Sequence, residues 1–285
     1  MPYTETPLTF ECRGDALVGI LTQPENPATL GVLIIVGGPQ CRTGSHRQFT
    51  LLARGLARHN IPSLRFDYRG MGDSTGALRN FEEIQEDVSA AFQAFQTHSP
   101  ATRRIVLWGL CDAASAAIFH TRLNPEVAGL ILCNPWTRTE QGLAKAQIKH
   151  YYRNRLTDRQ LWKKILSGRF RLTQSLRELC TAALKMARPS PPLDPLPPLP
   201  ERMQRALTDY AGPTLLILSG QDLTAREFEE TVKASDPWKS WLSSPAVTRH
   251  DLPEADHTFS RRQSNEQVIQ HSAGWVNSLS PKEFS

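Results

Sequence analysis

The stretch Ile105-Val106-Leu107-Trp108-Gly109-Leu110-Cys111-Asp112-Ala113-Ala114 decides the fold. It opens as a short apolar run, the pattern of a strand covered on both faces. It then sets a thiol two residues after Gly109 and two before Ala113, and continues into a helical pattern from Ala113 to Arg122. A strand, a small residue, a nucleophile, a second small residue and a helix form the turn written G-x-S-x-G, here with Cys111 in place of serine and Ala113 in place of the last glycine. The turn needs small residues because larger side chains two positions either side of its apex would collide with neighbouring backbone. It also sets Cys111 at a helix N-terminus, where the dipole attracts anions. The alternative for a free cysteine is a small packed hydrophobe. Cys12, Cys41, Cys133 and Cys180 lack this context and are read as structural.

Working outward, apolar runs alternate with amphipathic ones. Strands are predicted at Leu17 to Thr22, Gly31 to Val36, Ile61 to Asp67, Val127 to Cys133, Pro213 to Ser219 and Val247 to Leu252. Helices are predicted at Phe49 to His59, Ile84 to Gln96, from Arg226 onward and at Asn265 to Leu279. Such alternation predicts an α/β fold, a mostly parallel central sheet flanked by helices. The alternation stops at Asn134-Pro135, and the next stretch reads as helices only. Arg188 to Pro200 then holds seven prolines in thirteen residues, which predicts an extended connector. The expected organisation is a core in two parts, 1–135 and 211–285, interrupted by a helical lid over 136–210.

That lid concentrates the charge. Residues 138–188 contain 13 Lys and Arg against 3 Asp and Glu, while the whole chain of 285 residues has a formal charge of only +5. Such a segment is either a solvated helix face or an attractor of anions: phosphate, a carrier-protein surface or lipid headgroups. No nucleic-acid motif accompanies it, so no nucleic-acid partner is expected. No apolar run reaches the length of a membrane span, and the first residues do not read as a signal peptide. Five scattered cysteines without a C-x-x-C pair argue against a disulfide framework or a cysteine zinc site. A cytoplasmic protein with reduced thiols is expected.

A thiol nucleophile needs a base, and the base needs an orienting acid. In sites built on this turn the order along the chain is nucleophile, acid, histidine. Asp222 follows the Pro213–Ser219 strand and His257 follows the last strand, so both fall in loops at carboxyl ends of strands. Asp256 is the rival acid. The amide of Asp112 and that of Gly38, in the loop after the Gly31–Val36 strand, are the candidate oxyanion donors. Ser45, His46 and Arg47 lie beyond that loop and are candidate substrate contacts, with Arg47 suited to an anion; a helix-capping segment is the alternative.

These pieces, together with Asp67-Tyr68-Arg69-Gly70-Met71-Gly72-Asp73-Ser74, resemble the α/β-hydrolase superfamily, in which the last segment is a structural turn. More narrowly, Gly37-Gly38-Pro39-Gln40, Gly44-Ser45-His46-Arg47-Gln48-Phe49 and Gly109 to Ala116 look like the exosortase A system-associated hydrolase 1 family, whose members accompany bacterial exosortase and exopolysaccharide systems. Val36 stands where the superfamily usually has histidine before the oxyanion loop. A cysteine nucleophile is similar to that of dienelactone hydrolases. The resemblance implies cleavage of an ester, thioester or lactone through a thioester acyl-enzyme, on a small-molecule or carrier-linked acyl substrate, anionic if the basic segment recruits it. No metal or organic cofactor is implied. Two alternatives stay open: an acyltransferase using the same residues, and a non-catalytic protein docking at an anionic surface.

Overall fold

A computed structural model describes residues 2–38, 40–138 and 196–279. The basic segment, Cys180 and most of the proline-rich connector lie outside the described residues. One compact unit is formed by 1–137 together with 200–285.

Its centre is an eight-stranded sheet in the order β1-β2-β4-β3-β5-β6-β7-β8. The strands are β1 (Tyr3–Cys12), β2 (Asp15–Pro24), β3 (Leu30–Ile35), β4 (Ser63–Asp67), β5 (Arg104–Leu110), β6 (Val127–Cys133), β7 (Thr214–Ser219) and β8 (Val247–Leu252). β1 and β2 form an antiparallel hairpin, and β2 joins β4 antiparallel; β4, β3, β5, β6, β7 and β8 are mutually parallel.

Parallel strands need crossovers, and helices supply them. They are α1 (Gln48–Arg58), α2 (Gln85–His98), α3 (Asp112–His120), α4 (Leu199–Tyr210), α5 (Leu223–Lys233), α6 (Asp236–Leu242) and α7 (Arg262–Leu279). The two-residue period of β3 divides its side chains between faces. Val32 and Ile34 join Phe49, Leu52 and Leu56 of α1 and Val268, Trp275 and Val276 of α7 in one buried cluster. Gly31 points the other way, where a Cβ would lie 2.7 Å from the Phe95 ring of α2. All residues of β3, β6 and β7 are buried, which is why these strands read as unbroken apolar runs. Each fully buried Leu or Ile contributes about 1.5–3 kcal/mol.

Three elements depart from the expected pattern. β1 was not expected. Its exposed side chains are Thr, Pro and Glu, and it pairs on one side only. α4 begins at Leu199, inside the run expected to be extended, with Pro200 in its first turn. A proline there forfeits no helical hydrogen bond, because the first amides of a helix have no acceptor within it. α6 is a separate short helix within the region read as one.

The Asp67 turn braces the loop after β3. Asp67 is fully buried and accepts from the Arg42 amide and guanidinium and from the Asp73 amide (3.1 Å). Ser74 Oγ donates to the Asp67 carbonyl at 2.7 Å. The loop that runs from Gly38 to Gly44 is thereby tied to the end of β4.

Candidate active site

β5 ends at Leu110, and the chain reverses sharply at the next residue. Cys111 adopts φ 62° and ψ −123° and forms the N-cap of α3. A non-glycine residue in that region is strained, and strain of this kind persists only where surrounding structure enforces it. Main-chain bonds enforce it here: the Cys111 amide donates to the Cys133 carbonyl (2.9 Å), and the Cys111 carbonyl accepts from Ala114 (3.1 Å) and Trp136 (3.2 Å). Gly109 is obligatory, because a Cβ there would overlap the carbonyl of Ala113. The thiol at the apex is half-buried.

Asp222 closes β7 and caps α5, accepting from the Thr224 (3.1 Å) and Ala225 (3.2 Å) amides. Its Oδ2 also accepts from Nδ1–H of His257 at 2.9 Å. That contact leaves Nε2 of the ring for the Cys111 sulfur, which acts on the imidazole. The structure therefore brings Cys111, His257 and Asp222 together from the ends of β5, β8 and β7, with His257 and Asp222 hydrogen-bonded. The bond to Asp222, then the Cys111 sulfur, pushes the His257 imidazole up to about 10 despite its partial burial. Burial raises Asp222, but the His257 bond and charge and the two amides outweigh it and hold the carboxyl below its usual range.

Asp256, the rival acid, turns away: its carboxylate accepts from the amide (2.8 Å) and hydroxyl of Ser260. Two further positioning residues were not recognised in the sequence. Asn134, buried at the end of β6 with φ 44°, donates from Nδ2 to Ser219 Oγ (2.9 Å) and to the His257 carbonyl (3.2 Å). Its Oδ1 accepts from the Ser219 amide (2.8 Å), and Ser219 Oγ donates to the Asp256 carbonyl (2.9 Å). These bonds pin the His257 loop to two strand ends. An Asn ending a strand and turning left-handed was the available signal.

Gly38 and Asp112 also meet. The Gly38 amide donates to both carboxylate oxygens of Asp112, at 2.8 and 3.0 Å. The Ala113 amide donates to Oδ1 at 2.9 Å. Gly37 makes room, since a Cβ there would overlap Oδ1. Burial raises the Asp112 carboxyl against the pull of these amides and of the His257 charge. Tyr68 adjoins, its hydroxyl donating to the Gly38 carbonyl at 3.4 Å and pushed up to about 12 by burial and by Asp112.

Ser45–Arg47 forms a single turn of 3-10 helix before α1, in which His46 (φ 53°) and Arg47 (φ 60°) are exposed and left-handed. Ser45 bonds Gln40 Oε1 through its amide (2.9 Å) and hydroxyl (3.3 Å). His46 acts electrostatically on Asp256, beside His257. Among the described residues no group of three or more His, Cys, Asp or Glu is placed to hold a metal ion, and no helix is long and apolar enough to cross a membrane.

Comparison with solved structures returns the same architecture. Esterase Pf2001 from Pyrococcus furiosus shares 15% identity at a TM-score of 0.65, over 97% of this chain and 93% of that one. Dienelactone hydrolase from Anabaena variabilis shares 16% at 0.62, over 98% and 99%. An alpha-beta serine hydrolase homologue from Coxiella burnetii shares 17% at 0.56, over 93% and 96%. At such identities the likeness is one of fold. No curated protein matches the sequence. The model of the alpha/beta hydrolase family matches residues 32–270, and the chain belongs to that family.

Proposed function

We propose that the chain is a cysteine-dependent acyl hydrolase acting on a carboxylic ester, a thioester or a lactone. The observation that supports it is the grouping of Cys111 with the hydrogen-bonded pair His257–Asp222, the sulfur standing at the apex of a strained turn and acting on the imidazole. Family membership supports hydrolysis, and the fold shared with an esterase and a dienelactone hydrolase supports an acyl substrate.

In the resting site His257, raised to about 10, carries on Nε2 the proton given up by Cys111, and Asp222 stabilises the imidazolium through Nδ1–H. The thiolate attacks the carbonyl carbon, and the oxygen collects negative charge facing the amides of Gly38 and Asp112. Collapse of this intermediate expels the alcohol or thiol, which receives its proton from His257, and leaves a thioester on Cys111. His257 then removes a proton from water as the water attacks the thioester. The second intermediate breaks the C–S bond, releases the acid and restores the thiolate beside the imidazolium. Ser45, His46 and Arg47 would flank the entering acyl or leaving group. The resemblance of Gly37–Gln40, Gly44–Phe49 and Gly109–Ala116 to exosortase A system-associated hydrolases supports a role beside bacterial exopolysaccharide assembly.

The test is the Cys111→Ala variant with p-nitrophenyl butyrate, alongside intact-mass detection of a butyryl adduct on the wild type. The variant is expected to fold and to lose enzymatic turnover, and the wild type to gain the mass of one acyl group on Cys111. Full activity in the variant would overturn the proposal.

A further inference from the structure

Of the two amides that would receive an oxyanion, that of Gly38 is already in use. Gly38 donates to both oxygens of the Asp112 carboxylate, and Ala113 donates to Oδ1. Each of these bonds runs from an amide to the carboxyl, so the carboxyl acts as acceptor only. It sits as a bound anion sits in a nest of main-chain N–H groups. The fit is built into the chain, because any side chain at position 37 would overlap Oδ1. A carboxylate held this way excludes the carbonyl oxygen of an ester from the same donors, and its charge opposes the charge that develops on that oxygen.

We infer that the Asp112 side chain is a resident and removable occupant of the oxyanion site, an internal competitor that a substrate carbonyl must displace before Cys111 attacks it. This deepens the hydrolase reading and rests on it for the identity of the site. Asp112 then acts as a specificity-determining residue. Rotation about its Cα–Cβ bond frees the amides but leaves the carboxylate tethered next to the reacting carbon. Acyl groups that offer it a hydrogen-bond donor or a cation gain, and simple alkyl esters are held back. The main-chain amide of Asp112 remains a donor whatever side chain stands there, so the competitor can be removed without removing the hole.

The experiment compares the wild type with Asp112→Ala and with Asp112→Asn, which preserves shape and removes charge. With p-nitrophenyl butyrate, Asp112→Ala is expected to raise kcat/KM about tenfold or more, since a single oxyanion donor is worth 100-fold or more in other hydrolases; Asp112→Asn is expected to fall between the two. Acetate is the second probe. It should occupy the vacated amides, raise the melting temperature of Asp112→Ala and inhibit it competitively, and do neither to the wild type. The melting measurement needs no turnover, so it separates the two ideas. If no protein turns over esters yet acetate stabilises Asp112→Ala alone, the internal competitor stands and the hydrolase reading falls. If the wild type forms an acyl adduct on Cys111 while folded Asp112→Ala is slower and indifferent to acetate, the hydrolase reading stands and the competitor is overturned. Should Asp112→Ala fail to fold, Asp112→Asn decides: a kcat/KM no greater than that of the wild type overturns the inference, and a gain supports it.

Discussion

Cys111 and Cys133 terminate neighbouring strands, and the main chain joins them: the Cys111 amide donates to the Cys133 carbonyl at 2.9 Å. Both touch the same core cluster, Cys133 from inside it and Cys111 half-buried at its margin. Cys133 is the last residue of β6, in register with Leu110 of β5, and its side chain is wholly buried in the core cluster. Burial there pushes its thiol up, with no base beside it. Cys111 stands one residue beyond the ladder, where φ of 62° turns the side chain off the sheet and toward His257. The difference between an inert thiol and a partnered one is a single residue of chain and one reversed dihedral angle. The lesson is general for parallel sheets: the side chains inside the strands build the core, and the first side chains past them are free to do chemistry.

The largest expected effect breaks the comparison directly. Iodoacetamide should label Cys111 in the folded protein at least about 1,000-fold faster than Cys133, which becomes reactive only in denaturant. Peptide mass mapping over a time course measures both rates. Similar rates would mean that the strained turn confers nothing on the thiol.

The next effect sharpens the comparison by loosening the base. Asp222→Asn removes the largest cause of the raised His257 value. Ester turnover should fall about 100- to 10,000-fold. The pH dependence follows from the sign of the shift. A histidine raised from 6.5 to about 10 on folding stabilises the protein fully below pH 6.5, and that contribution disappears as pH rises through 10. The stability difference between wild type and Asp222→Asn, from urea midpoints, should therefore be widest near pH 6 and narrow steadily toward pH 10. A constant gap would detach Asp222 from His257.

How much of this was legible beforehand follows the same division. Buried strands announce themselves because both faces must be apolar, as in Val32-Leu33-Ile34-Ile35 and Leu130-Ile131-Leu132. β1 was silent because its outward face is polar and its partner must be known before its pattern means anything. α4 was masked by Pro197, Pro198 and Pro200, whose effect depends on which turn of a helix they occupy. At the site, Cys111, Asp222 and His257 were legible because each follows a recognisable strand. Asn134 was not, because its three side-chain hydrogen bonds cross to Ser219 and His257, at least 85 positions along the chain. Asp112 was read for its amide alone, and nothing local revealed that its side chain would turn back onto the same donors.

The smallest effect tests the neighbour of the inert thiol. Asn134→Ala should cost about 1–3 kcal/mol, since it leaves buried polar partners unsatisfied. It should lower kcat with little change in KM, because the His257 loop loses an anchor while substrate contacts persist. Thermal unfolding and steady-state kinetics on one preparation measure both. Loss of stability with unchanged kcat would reduce Asn134 to a scaffold residue.

The two outer strands have a consequence for how the molecule behaves in concentrated solution. An open sheet presents two rows of unpaired main-chain groups, a template on which a second polypeptide can extend the ladder. β1 interrupts its row with Pro7, which has no N–H to offer, and lines the remainder with Glu5 and Glu11. β8 sets Arg249, His250 and Asp251 along the opposite rim, with Arg249 drawn into ion pairs to Glu229 and Asp251. An incoming extended segment would lose one bond at the first rim and have to strip water from fixed charges at the second. Both margins of the sheet are thus guarded against fibril-like stacking, and replacing Pro7 with a β-branched residue would remove one of those guards.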